Sequence, residues 1–132
     1  MPLLLSAALA AALSTPPGEV EIRMSGLSPT GDVYIQLCGA GENIMGRCAR
    51  GEIVKPGADG TASVRFSGVP AGRWAAGGFQ DVDGDRRMSF GAMGPSEPWG
   101  FSGRPAMGPP SFDSAAVDVP ASGAVITLAF RQ

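Results

Sequence analysis

The sequence predicts an all-β domain, an antiparallel Greek-key-type β-sandwich of six to seven strands with one long ordered loop. Three observations predict it. Apolar residues recur at every second position in short runs, the period of a strand with one buried face. No stretch sustains the 3.6-residue period of an amphipathic helix. Gly and Pro, 20 and 12 of the 132 residues, fall mostly between the runs, where turns need them. Strands with one apolar face must hide it, and two sheets pressed face to face do so.

The chain opens on Leu3 to Leu13, an apolar run too short to cross a bilayer. Small residues follow at Ser14 and Thr15. This reads as a signal peptide over residues 1–15, leaving residues 16–132 as a single β-sandwich domain. In that domain Val20, Ile22 and Met24 alternate with Glu19, Glu21 and Arg23. Pro29 and Gly31 supply a turn, and Val33, Ile35 and Leu37 point inward on the next strand. "EIVKP" (Glu52 to Pro56) is a weaker seventh strand. After the turn "KPGADG", Ala62, Val64 and Phe66 repeat the pattern. "RWAAGGFQ" (Arg73 to Gln80) is less regular; Gly77 and Gly78 weaken it as an isolated strand and allow close backbone approach or a bulge. Ala115, Val117 and Val119 form the next candidate, and Ile126, Leu128 and Phe130 the last, with "PASG" as the turn between. Burying one Val or Ile is worth about 1.5–3 kcal/mol, so these residues speak to stability and not to function.

Composition narrows the function. The chain has no histidine, which removes Ser-His-Asp and Cys-His catalysis, histidine general bases and the usual zinc enzyme sites. We therefore assign no catalytic residue and expect a protein that is not an enzyme. The net charge is −2 and the basic residues form no run, so nucleic acid and anionic membranes are poor partners. No second apolar span follows the first, so no membrane span is expected after signal removal. Cys38 and Cys48 enclose "CGAGENIMGRC". In an exported chain this spacing reads as a disulfide, worth roughly 2.5–3 kcal/mol by loop entropy. The expected location is periplasmic or secreted.

The chemistry concentrates after residue 80. Asp81, Asp83 and Asp85 form D-x-D-x-D, which lets a turning loop aim three hard oxygen ligands at one cation. Calcium is the cofactor this pattern suggests, and no other is implied. The match to a calcium loop is partial: that loop wants Gly at its sixth position and an acid at its twelfth, where this chain has Arg86 and Ala92. Ser89, Glu97 or Asp113 are available to complete the shell. The bland alternative is an Asp-rich turn whose side chains accept from their own backbone amides. From Phe90 to Phe112 the chain has no period yet carries Trp99, Phe101, Met93 and Met107, which predicts an ordered flap closing one end of the sandwich. A sharper reading makes Trp99 and Phe101 a ligand platform, for example for a sugar ring.

"FSGVPAGRWAAGGFQDVDGD", "GPSEPWGFS" and "GPPSFDSAAVDV" together resemble a family of exported bacterial proteins, domain of unknown function 2141. The resemblance covers most of residues 16–132 and is densest from Phe66 to Val119. It implies a secreted or periplasmic sandwich similar to transthyretin-like and carboxypeptidase-regulatory domains, with no established activity to carry over. Asp81, Asp83 and Asp85 fall on the family's acidic loop, and Pro95, Glu97, Trp99, Gly100, Phe101 and Ser102 on its second motif. Pro109, Pro110, Phe112 and Asp113 fall on its third. The family usually has Gly where this chain has Arg86, an acid at Ser89, and often His at Gln80.

These observations predict an exported, non-enzymatic binding or accessory module of the bacterial cell envelope, with a weak calcium site formed by Asp81, Asp83, Asp85 and Glu97. Its partner would be an envelope protein or a glycan. One alternative is a structural or adhesive module without metal. Another is a hydrolase using Glu97 with Asp81, Asp83, Asp85 or Asp113 as a carboxylate pair.

Overall fold

The structure, a computed structural model, describes residues 17–86, 90–91, 94–95, 97–104 and 110–131. Two sheets form its body. The first contains β1 (Val20–Ser25), β4 (Ala62–Phe66) and β10 (Ala124–Ala129), in the order β10-β1-β4. The second contains β2 (Asp32–Cys38), β3 (Arg50–Val54), β5 (Gly72–Asp81) and β8 (Trp99–Phe101), in the order β3-β2-β5-β8. In that sheet β9 (Ala116–Val119) also pairs with β5. A small ladder joins β6 (Phe90–Gly91) to β7 (Gly94–Pro95), and α1 is a single turn, Phe112–Ala115.

The alternating residues meet between the sheets as expected. Val20, Ile22 and Met24 of β1, Val33, Ile35 and Leu37 of β2, and Ile126, Leu128 and Phe130 are all buried in one cluster. Their partners at odd positions, such as Glu21, Arg23 and Arg65, form ion pairs on the outer surface of the first sheet. One pairing departs from a wholly antiparallel sandwich: β1 and β10 run parallel, from Val20 opposite Ala124 to Ser25 opposite Ala129. Alternation assigns each residue to a face, but it reads the same from either end, so it cannot give strand direction.

The less regular strand candidate takes a central place, and one residue departs from the expectation. Arg73 to Gln80, the irregular segment, lies within the ten-residue β5 at the centre of the second sheet. It pairs with β2 along one edge and with β9 and then β8 along the other. Its glycines serve close approach: a Cβ at Gly78 would run into the Tyr34 carbonyl oxygen, and one at Gly77 into the Phe101 ring. Ala115, expected on a strand, is the buried last residue of α1. Ser111 caps that turn, its hydroxyl accepting from the Ser114 amide while the Ser114 hydroxyl accepts from the Ser111 amide.

Cys38 and Cys48 are joined, with Cα atoms 5.4 Å apart, and tie the end of β2 to the approach to β3. Gln36 braces the enclosed loop. Its amide nitrogen donates to the carbonyls of Ile44 and Gly46, and its oxygen accepts from the Cys48 amide. Glu42 spans the same loop by accepting from the Gly39 and Ala49 amides, and those bonds hold its carboxyl below the usual range. The predicted flap is interrupted by β8, which joins the second sheet; Met93 and Met107 lie outside the described residues.

Candidate functional site

β5 ends at Asp81, so the acidic loop begins at the rim of the second sheet. Glu97, sixteen positions later in the chain, returns to it because β8 runs antiparallel to β5. Trp99 lies opposite Phe79, the Gln80 amide donates to the Pro98 carbonyl at 2.8 Å, and Glu97 therefore arrives beside the loop. Asp81, Asp83, Asp85 and Glu97 each offer one carboxylate oxygen, and these four atoms all lie within 4.8 Å of one another. These are the four residues that the sequence suggested. Asp113 is exposed in α1 and is not in the group.

The loop is folded around its own acids. The amides of Val82 and Asp83 donate to one Glu97 oxygen at 2.6 and 3.2 Å. The amides of Gly84 and Arg86 donate to the two Asp81 oxygens at 3.0 and 2.7 Å, and that of Asp85 to Asp83 at 3.1 Å. Five successive backbone donors thus point at the cluster. Asp81 and Glu97 are buried, each 5% exposed, whereas Asp83 and Asp85 are exposed. This is the Asp-rich turn of the bland reading. It is also compatible with a cation, because each carboxylate oxygen has a second lone pair.

Charge bears on what the cluster could hold. Two carboxylates 4.8 Å apart repel by about 1 kcal/mol in water, and by about 3.5 kcal/mol at an effective dielectric near 20. A divalent ion relieves all of these pairs at once. Oxygens within 4.8 Å of one another can share one ion whether it holds them at about 2.0–2.1 Å, as magnesium does, or at about 2.3–2.6 Å, as calcium does. Four carboxylates leave room for carbonyls or water, since calcium takes about 6–8 oxygens.

Arg86 carries a feature that the sequence did not reveal. Its φ is 64°, and it is the only non-glycine at positive φ among the described residues. An L-residue in this left-handed region costs roughly 1–2 kcal/mol. The sixth position of a calcium loop is ordinarily glycine for the sharp turn made there. The backbone here makes that turn with arginine in glycine's place.

The two expected platform residues lie side by side but face different neighbours. The Trp99 ring leans on Phe101 at 5.8 Å between centroids and 53° between planes, with the Arg131 guanidinium 5.6 Å from its centre. Trp99 and Arg131 also exchange backbone hydrogen bonds of 2.9 Å, so Trp99 joins the edge of the second sheet to the chain leaving β10. Phe101 lies over Gly77 and lines a groove of about 870 Å³ on the outer face of that sheet, together with Tyr34, Phe79 and Arg86. Sequence reasoning missed this groove. The available signal was Tyr34, an aromatic at an outward position between inward Val33 and Ile35.

A family model described as "Uncharacterized protein conserved in bacteria (DUF2141)" matches residues 22–127. The chain belongs to this family. No curated protein and no solved structure matched it. The DUF2141 match spans both sheets, the disulfide and the acidic cluster. The φ of 64° at Arg86 is one that glycine holds without strain. Gln80 is fully buried; its oxygen accepts from the Ser28 amide and its nitrogen donates to the carbonyls of Ser28, Thr30 and Gly31. In this DUF2141 protein that position fastens the turn between β1 and β2.

Proposed function

We propose that this protein is an exported, non-enzymatic β-sandwich that serves as a binding or accessory module of the bacterial cell envelope, and that its acidic loop holds a weakly bound calcium ion. The observation that carries the metal reading is the convergence of Asp81, Asp83, Asp85 and Glu97 within 4.8 Å. Export is supported by the apolar run from Leu3 to Leu13 and by the disulfide, a bond that persists in oxidising compartments. Among the described residues no helix is long and apolar enough to cross a membrane. The absence of histidine from the chain and the backbone donors that hold Asp81 and Glu97 in place support a binding role over turnover.

The affinity should fall in the weak extracellular range, about 10⁻⁴–10⁻³ M, because the protein offers few ligands beyond the four acids. Calorimetric titration of chelator-treated protein with CaCl₂ tests this. One site in that range, with weaker heat from MgCl₂, supports the proposal. No saturable heat up to tens of millimolar CaCl₂ leaves the Asp-rich turn as the account of the loop.

A further inference from the structure

We propose that the groove on the outer face of the second sheet binds a small molecule that joins a flat apolar ring to an anionic group. Tyr34, Phe79 and Phe101 would take the ring, and Arg86 would meet the anion. This site adjoins the acidic cluster, sharing Arg86 of its loop, but its contacts to the ligand need no metal ion.

The register builds the groove. Ile53, Tyr34, Phe79 and Trp99 are successive cross-strand partners over β3, β2, β5 and β8, so they share one face. Because Val33 and Ile35 point into the core, that face is the outer one. The next row is Gly51, Gln36, Gly77 and Phe101. Two of its four members lack a side chain. The Phe101 ring occupies the space over Gly77, but a Cβ at Gly51 would find its nearest neighbour at 3.7 Å, so the trough stays open there. Its floor carries the Tyr34 and Phe79 rings, stacked 5.1 Å apart and 8° from parallel. Its wall is the disulfide loop, with Ile44 and Met45, which Gln36 holds in place. Met45 and Ile53 are 44% and 57% exposed, large apolar side chains left facing water. The volume of about 870 Å³ lies in the range of small-molecule sites, and its lining joins three aromatic rings and aliphatic side chains to a few charged groups.

Charge selects the ligand. Arg47 and Arg86 line the groove, and among the described residues neither makes an ion pair. Glu52 also borders it, but Glu52 lies opposite Ile35 in the register, on the other face of β3. The groove therefore presents guanidinium to an anion. Arg86 adds a second, independent sign. Glycine would hold its φ of 64° without strain, yet the chain places an arginine there, fixed by the Asp81 carboxylate on its amide. What the arginine adds is a charged group in the lining of the groove.

Two fluorescent probes test the proposal on the purified protein: 8-anilinonaphthalene-1-sulfonate, an anionic ring system, and N-phenyl-1-naphthylamine, its uncharged counterpart. The anionic probe should bind saturably at one site and shift the amide resonances of Gly51, Ile53 and Gly77. Arg86→Gly should weaken the anionic probe about tenfold, leave the uncharged one unchanged, and raise the melting temperature by relieving the backbone. Gly51→Val should weaken both probes about tenfold or more at an unchanged melting temperature, since its Cβ has room and a β-branched residue suits a strand. Absence of saturable binding overturns the proposal. So does equal binding by wild type and Arg86→Gly, resonance shifts confined to another face, or a dimer in which the probe site is covered by a second copy.

Discussion

Replacing Asp83 with asparagine separates a calcium site from an acidic turn. The amide oxygen of asparagine can still accept from the Asp85 N–H, now 3.1 Å from Asp83, so the local turn is retained. What disappears is one of the four charges that converge within 4.8 Å. If the wild-type loop binds calcium with a Kd of about 10⁻⁴–10⁻³ M, then 10 mM CaCl₂ is about 10–100 times Kd. Mass action then stabilises the folded state by about 1.4–2.7 kcal/mol. For a domain of this length, where 1 kcal/mol moves the midpoint by about 4 °C, that is a rise of roughly 6–11 °C. Asp83→Asn should lose most of that rise while folding normally in EDTA. Differential scanning calorimetry of both proteins, in EDTA and in CaCl₂, reads it directly. An equal calcium response in the two proteins, or none in either, refutes the assignment of the cluster.

Three other perturbations test the scaffold. Glu42 accepts two amides across the disulfide loop, and its carboxyl sits below the usual range because of them. A depressed folded-state value means that this stabilisation is present above the unfolded-state value, near 4.3, and is lost as pH falls through the folded one. Glu42→Gln should therefore flatten the loss of melting temperature on the acid side, and an unaltered acid limb would count against the linkage. Cys48→Ser should lower stability in urea by roughly 2.5–3 kcal/mol and remove the effect of added reductant; a reductant-insensitive wild type would mean that the bond plays no part in stability. Gly78→Ala should cost about 1–3 kcal/mol or more by driving Cβ against the Tyr34 carbonyl, with guanidinium unfolding as the measure and a neutral result contradicting the close approach of β2 and β5.

Much of the sandwich was legible because alternation maps directly onto burial. Val20, Ile22 and Met24 needed no more than their spacing, and the cysteine pair no more than its separation and the expectation of export. The four acids were legible as ligand types. Their meeting depends on β8, and three residues, Trp99–Phe101, are too few to show a period. The parallel run of β1 and β10 was hidden for a different reason, since a two-residue repeat carries no direction. The central place of β5 was hidden too, because Gly77 and Gly78 lower isolated strand propensity while tertiary approach requires them. The outer groove was overlooked because an outward position such as Tyr34 is read as merely solvated until its cross-strand neighbours are known. The left-handed backbone at Arg86 has no signature in arginine itself.

The most direct test of the calcium assignment is an anomalous difference map from crystals grown in millimolar CaCl₂. The account predicts a peak about 2.4 Å from oxygens of Asp81, Asp83, Asp85 and Glu97, with carbonyls or water completing the shell. A map without a peak there, with the four carboxylates still gathered around their own backbone amides, would contradict it.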